Sequence, residues 1–201
     1  MVKEGLPFII VPLVIAVVLA FFGWWLVAGI FALVTAFMLY FFRDPHRNIP
    51  NEPGLIISAA DGRVTRIDEA DDHKTVSVFL SPLDVHINRS PITGKIVQVA
   101  YIKGHKKPAT SDEASLINER NSIVLEGDGL TVTCTQIAGI LARRIVCWPK
   151  EGDSLERGQR YGLIKFGSRT DIKMPPDCEV AVKIGDRVRG GETVIARRKI
   201  N

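Results

Sequence analysis

The chain opens on an apolar run and then changes character. From Pro7 to Phe42 there is no Asp, Glu, Lys, Arg or His, and Lys3 and Glu4 carry the only side-chain charges before residue 43. As one straight helix, at about 1.5 Å per residue, this run would reach roughly 54 Å, well beyond a hydrocarbon core of about 30 Å. Two shorter spans fit, Phe8–Phe22 and Leu26–Phe42, broken at Gly23-Trp24-Trp25. Gly permits the turn, and paired Trp favour the headgroup level. The other arrangement is a single long, tilted helix with an interfacial extension. A secretory signal is excluded, because its apolar core runs about 7–15 residues and ends at a small-residue cleavage site. A soluble helical hairpin is disfavoured, because no face of the run is polar. Residues 1–42 are therefore expected to anchor the chain in a membrane as two short transmembrane helices.

Beyond Phe42 the period changes. Residues 43–54, with Pro50 and Pro53, read as a linker. From residue 55 to 201 the chain is a succession of short β-type runs: Leu55–Ala59, Thr75–Leu80, Lys95–Ile102, Ser122–Glu126, Leu130–Ile137, Arg144–Trp148, Arg160–Phe166, Glu179–Lys183 and Thr193–Arg197. Turn residues separate them at Asp61-Gly62, Ser90-Pro91, Gly127-Asp128-Gly129 and Pro175-Pro176-Asp177. Short, regularly spaced strands predict a mainly β body of β-sandwich or barrel-sandwich type. A short helix is expected only over Asp112–Asn118, with another helical turn over Ile137–Arg143. Pro91–Ile96 and Lys183–Val188 look like the turns of barrel-sandwich carrier domains, but no local motif for a modified Lys accompanies them.

Charge adds a direction. Lys3 before the first span and Arg43, His46 and Arg47 after the second place both flanks, and with them the body, on the cytoplasmic side of the cell membrane. The net charge of +4 belongs to the body, and Arg187, Arg189, Arg197, Arg198 and Lys199 make its tail the most basic part. Beside an anchor such a surface favours anionic lipid headgroups, although each residue taken singly reads as a solvated edge. Basic and aromatic residues are not interleaved, so no nucleic-acid partner is expected. The three cysteines, Cys134, Cys147 and Cys178, are odd in number and lack C-x-x-C spacing, as suits buried thiols in a reducing compartment. No two of the four histidines have metal-ligand spacing, and no metal is expected.

Three segments could carry chemistry. In Phe166-Gly167-Ser168-Arg169-Thr170-Asp171 a Gly-Ser step directly follows an apolar strand. Gly167 frees the backbone and leaves its carbonyl open to the Ser168 hydroxyl, which is what an N→O acyl shift requires. The shift gives an ester, β-elimination breaks the chain, and the resulting dehydroalanine hydrolyses to pyruvoyl. The same dipeptide is also an ordinary turn. In Ser81-Pro82-Leu83-Asp84-Val85-His86 the carboxylate of Asp84 precedes His86 by two residues. In a strand these side chains share a face, and a carboxylate beside an imidazole suits a general acid/base. A structural His at a strand end has the same pattern. In Ala59-Ala60-Asp61-Gly62-Arg63-Val64 the Asp-Gly step is a hairpin signal.

Together these segments, with Asn118-Glu119-Arg120-Asn121 and Gln136-Ile137-Ala138-Gly139 running to Ala142-Arg143-Arg144-Ile145, follow the order found in one family. The chain resembles the phosphatidylserine decarboxylase proenzymes, in particular their short, membrane-tethered subclass, over nearly its whole length. That subclass includes archaetidylserine decarboxylases, so the resemblance leaves a diacyl or an archaeal ether lipid open. It implies self-cleavage between Gly167 and Ser168 into chains 1–167 and 168–201 that stay associated. Ser168 would become a covalent pyruvoyl cofactor that forms a Schiff base with the amine of a serine-headed phospholipid and accepts the electrons released with carbon dioxide. It further implies that Asp61 assists self-cleavage and that Asp84 and His86 serve the active site. Two positions depart from the pattern. Longer bacterial relatives carry a second histidine where this chain has Arg89, so His86 takes both histidine roles or another group substitutes. Arg169 stands where longer members have Ser or Thr. Arg63, Arg89 and Arg169 are the candidate partners of the phosphodiester, and a sheet edge allows a homodimer. Two other classes remain open: a membrane serine hydrolase using Ser168, His86 and Asp61, which lacks G-x-S-x-G, and a non-enzymatic, membrane-tethered β-barrel adaptor.

Overall fold

The computed structural model describes residues 2–105, 117–127, 129–139, 144–165 and 168–198. The chain divides into two compact units, Met1–Pro45 and His46–Asn201.

In the first unit a 3-10 turn, Lys3–Gly5, leads into helix α1, Leu6–Phe21, and helix α2 covers Trp25–Phe41. Gly23 makes the reversal at φ +81°, and Trp24 N–H closes it on the Leu19 carbonyl at 2.9 Å. The helices run back to back. A Cβ on Gly5 would lie 2.6 Å from the Phe42 ring, and the Phe8 and Phe42 rings pack at 5.6 Å. Lys3–Phe21 is long and apolar enough to cross a membrane; Trp25–Phe41 is apolar but shorter, at 17 residues. The Thr35 hydroxyl donates to the Phe31 carbonyl at 2.8 Å, which satisfies it within its own helix.

The second unit is mainly β. Its strands are β1 (Leu55–Ile57), β2 (Gly62–Glu69), β3 (Lys74–Leu80), β4 (Ile87–Arg89), β5 (Gly94–Ile102), β6 (Arg120–Gly127), β7 (Leu130–Ala138), β8 (Arg144–Cys147), β9 (Ser154–Leu155), β10 (Arg160–Lys165), β11 (Ser168–Met174), β12 (Cys178–Val180), β13 (Arg187–Val188) and β14 (Val194–Arg198). An eight-stranded sheet, ordered β13-β2-β3-β11-β7-β6-β5-β9, curls into a half-barrel. Two three-stranded sheets, β1-β14-β12 and β4-β10-β8, complete the unit. All the pairings among these strands are antiparallel.

Period-2 alternation explains the core. Val76, Val78 and Leu80 of β3, Ile123 and Leu125 of β6, Val132 and Cys134 of β7, and Ile172 and Met174 of β11 all point inward. Ile56, Ile195 and Ala196 from one small sheet and Tyr161 from the other join the same cluster. The mainly β, sandwich-like reading of the body therefore holds. The expected short helix over Asp112–Asn118 falls almost wholly outside the described residues. The expected helical turn over Ile137–Arg143 does so from residue 140 onward, while Ile137 and Ala138 close β7.

One local expectation is corrected. Asp61-Gly62 is not a hairpin turn, because β1 pairs with β14 and β2 with β3 and β13. It is a crossover between sheets, and Gly62 is required there: a Cβ would sit 2.0 Å from the Phe79 carbonyl oxygen. Residues 48–54, within the expected linker, are bonded to the body. Asn48 N–H donates to Glu192, and the Arg157 guanidinium donates to the Pro50 and Glu52 carbonyls at 3.0 and 2.7 Å.

Candidate active site

Strand direction gathers the candidate residues at one end of the large sheet. There β2 begins at Gly62, β3 ends at Leu80, β11 begins at Ser168 and β7 ends at Ala138. Ser168 lies between Leu80 and Ala138 in register, so it starts a central strand rather than merely following one. Asp61 immediately precedes β2, and Asp84 and His86 lie in the loop that leaves Leu80. Gly167 lies outside the described residues. The far end of the same loop is fixed by β10, whose Ile164 N–H donates to the His86 carbonyl at 3.2 Å. Since β10 ends at Lys165 and Leu80 is in register with Ser168, the His86 loop runs from the strand beside Ser168 to the strand that precedes the Gly167-Ser168 step.

The relation between Asp84 and His86 differs from the sequence expectation. Residues 81–86 form a loop, not a strand, so the i, i+2 rule does not apply. One Asp84 oxygen accepts from Ser81 N–H at 2.9 Å and Ser81 Oγ at 2.7 Å, closing the loop on itself. The other meets the Arg187 guanidinium at 3.1 Å. The His86 ring instead puts Nδ1 at 2.9 Å from the Asp84 backbone carbonyl. A carbonyl can only accept, so Nδ1 carries the hydrogen and Nε2 holds the lone pair of the neutral ring. His86 is buried. The result is a base oriented by main chain, with the Asp84 carboxylate one step removed.

Asp61 is held by two donors. Both its oxygens accept from Arg47 Nη2, at 3.0 and 2.9 Å, and Oδ1 also accepts from Gly190 N–H at 2.8 Å. Burial nevertheless pushes its carboxyl above the ordinary value, with Arg47 opposing. The turn it occupies reaches the site, because Ala59 offers its carbonyl to Arg89 N–H at 2.9 Å.

Ser168 is fully buried, and its Oγ makes no hydrogen bond among the described residues. Leaving a buried hydroxyl unsatisfied costs about 1–3 kcal/mol, which suits a side chain retained for chemistry. Beneath it runs a buried polar network. Asn88 Nδ2 donates to Thr170 Oγ1 at 3.1 Å, Gln136 Nε2 to Asn88 Oδ1 at 2.9 Å, and Asn121 Nδ2 to Gln136 Oε1 at 3.3 Å. These bonds tie β4, β6, β7 and β11 together one step from Ser168. The sequence motifs contain Asn121 and Gln136, but nothing in their spacing assigned them this work, and Asn88 and Thr170 were not singled out for it.

The candidate cations separate by their partners. Arg169, nearly buried, pairs with Asp171 at 2.9 Å on the face of β11 opposite Ser168. Arg89 is also buried and donates to the Gly158 carbonyl at 3.0 Å. Arg63 is exposed and donates to the Gly185 carbonyl at 3.0 Å. Burial pushes all three cysteine thiols upward, Cys134 furthest, so none is activated.

Comparison with known proteins identifies the family. The family model for phosphatidylserine decarboxylase matches residues 34–196. A phosphatidylserine decarboxylase proenzyme of Symbiobacterium thermophilum is 47% identical over 203 residues, covering 97% of this chain and 94% of its own. Similarly named proteins of Solidesulfovibrio magneticus and Geotalea uraniireducens are 45% and 42% identical, covering 98% and 96% of this chain and 95% and 93% of their own. With the family model spanning most of the chain and these relatives nearly all of it, the chain belongs to the phosphatidylserine decarboxylase family of enzymes.

Proposed function

We propose that this chain is a self-cleaving proenzyme that decarboxylates a serine-headed phospholipid at a membrane surface, using a pyruvoyl group made from Ser168. Membership of the family supports the reaction class, and the observation that carries the assignment to this residue is the buried, unengaged Ser168 Oγ beside the His86 loop. The residues fit that origin. His86 Nε2 takes the proton of Ser168 Oγ as the oxygen adds to the Gly167 carbonyl. Elimination then cuts the chain between Gly167 and Ser168, and hydrolysis of the dehydroalanine releases ammonia. A pyruvoyl carbonyl supplies an electron sink for the carbon–carbon bond broken on loss of carbon dioxide. His86, released from its first task, returns a proton to the headgroup carbon. Asp61 holds the neighbouring turn through Arg47 and Gly190 and is a positioning residue in this scheme.

Sheet topology supports lasting association of the two products. The smaller product, 168–201, would contain β11 between β3 and β7, β13 against β2, and β14 against β1. Cleavage at 167/168 leaves those ladders intact. The apolar unit, flanked by Lys3 and Arg43, supports an anchored enzyme whose body faces the cytoplasm. A serine hydrolase fits less well, because the Nδ1 of His86 is oriented by a carbonyl and Asp61 is bound to Arg47 and Gly190.

Intact mass of the denatured protein, purified from membranes, tests the reading. Two chains split at Gly167-Ser168, with a small chain lighter than its unmodified peptide by the loss of ammonia, are expected. Ser168→Ala is expected to remain one inactive chain. Decarboxylation by Ser168→Ala would overturn the proposal.

A further inference from the structure

We propose that Arg63 and Arg187 form the site that grips the phosphodiester of the lipid substrate, an assignment that rests on the decarboxylase reading and extends it. The two arginines are directly opposed across the β2–β13 ladder. Opposed side chains on an antiparallel pair have Cβ atoms about 4.5–5.5 Å apart, and like charges there repel. Local compensation is incomplete. Arg187 meets Asp84 at 3.1 Å, and among the described residues Arg63 donates to a carbonyl, that of Gly185, at 3.0 Å. Two guanidinium groups facing one carboxylate leave a net positive charge. The Arg187 side chain is 71% exposed and Arg63 is exposed as well, so most of both forks remains open to an incoming anion. Guanidinium pairs match the planar, multi-oxygen face of a phosphodiester.

Position links the pair to the reacting end of the substrate. Arg187 touches the carboxylate of Asp84, whose carbonyl orients His86. Arg63 is in register with Phe79, and Phe79 with Arg169, the neighbour of Ser168. These partners lie two strand spacings apart, about 10 Å, on the face opposite Ser168, so it is the Asp84 loop that connects the pair to the reacting end. Among the described residues, Arg47 pairs with Asp61, Arg169 with Asp171, Arg89 with the Gly158 carbonyl in a buried position, and Arg189 with Glu192 at 3.6 Å. The surroundings choose a lipid over a soluble phosphate ester. Leu83, on the Asp84 loop, is 60% exposed, and Ile184, next to the Gly185 that holds Arg63, is 64% exposed. These two aliphatic tips flank the arginines where the glycerol and first acyl carbons of a phospholipid would lie.

The test uses the full-length enzyme with two probes, phosphatidylserine in mixed micelles and water-soluble glycerophosphoserine. Arg63→Gln, Arg187→Gln and their double variant are expected to carry the pyruvoyl small chain by mass. Per processed enzyme, each single change is expected to raise KM for both probes about tenfold with kcat within about twofold, and the double change to raise it further. Arg187→Lys keeps the charge beside Asp84 without the fork and is expected to fall between. Leu83→Ser with Ile184→Ser is expected to raise KM for the micellar lipid alone. A processed double variant with unchanged KM overturns the proposal. So does a defect confined to how much of the chain is cut, with KM per processed enzyme unchanged, which would make Arg187 a loop clamp. Equal effects of the Leu83 and Ile184 changes on both probes overturn the lipid part. A wild-type protein without pyruvoyl overturns the decarboxylase reading and this assignment with it.

Discussion

At the scale of residues, position in sequence and position in space part company at Asp84 and His86. The carboxylate closes a loop, while the carbonyl two atoms away from its side chain sets the tautomer of the imidazole. This separates two substitutions that sequence spacing would treat alike. His86→Asn retains an N–H for the Asp84 carbonyl but loses Nε2. It is expected to leave the chain uncut or, where cut, to lower kcat at least a hundredfold. Asp84→Asn keeps the carbonyl and most of the loop closure, and its loss of kcat is expected to stay within about tenfold. Equal losses would restore the carboxylate to a direct role, and steady-state rates per processed chain distinguish the cases. Asp171 carries a different signature. Burial raises its carboxyl above the ordinary value, against the pull of Arg169. The folded state therefore binds the proton more tightly than the unfolded one. Its stabilising contribution is complete below about pH 3.8 and is lost as pH rises through the folded value. Wild type should thus lose stability relative to Asp171→Asn between pH 4 and pH 7, read as the gap between thermal midpoints in detergent. Parallel curves would mean that burial does not govern this group.

At the scale of elements, the sheet end is built by close approach and by polar bonds rather than by apolar packing. Gly62→Ala would press a Cβ into the Phe79 carbonyl, at the crossover that carries Asp61. A loss of about 3 kcal/mol is expected, with slower self-cleavage, measured by denaturant midpoint and by mass against time. Gln136→Leu strands Asn88 and Asn121 in a buried site, at about 1–3 kcal/mol for each group left unpaired. It is expected to slow processing as well, because Thr170, which Asn88 holds, lies two residues along β11 from Ser168. A variant with normal processing would show that the network serves stability alone. Much of this architecture was legible beforehand. Strands with clean alternation, such as Leu130–Ala138, were found to within a residue or two. The misses have physical causes. In β2 a bulge between Val64 and Arg66 breaks the alternation, and charged residues fill its outer face. Strand β11 does alternate, with Thr170, Ile172 and Met174 inward, but Arg169, Asp171 and Lys173 dilute it to the eye. Strands of two or three residues, such as β4, β9 and β13, are defined by partners distant in sequence and carry no local period. The polar network is invisible for the same reason: Asn88 and Gln136 meet only because two sheets do.

At the scale of the whole molecule, the proposed function divides membrane attachment from chemistry between the two units. The main core cluster, from Ile56 to Ala196, draws every member from His46–Asn201, and none from the helical unit. Apolar burial on that scale is what lets a domain fold alone. Removing residues 1–45 should therefore leave a soluble protein that still cuts itself and still turns over glycerophosphoserine. What it should lose is access to lipid held in a bilayer. An anchor confines enzyme and substrate to one surface, raising the local concentration of headgroups without a new contact at the site. The truncated protein is thus expected to match the full chain in kcat on the soluble probe and to fall at least tenfold behind it on vesicles of phosphatidylserine. Adding anionic lipid to those vesicles should recover part of the gap, since Arg63, Arg187 and the basic tail remain on the body. Loss of self-cleavage on truncation would show instead that the helices complete the fold. Equal rates on vesicles would assign membrane access to the body alone, leaving the apolar unit a means of retention.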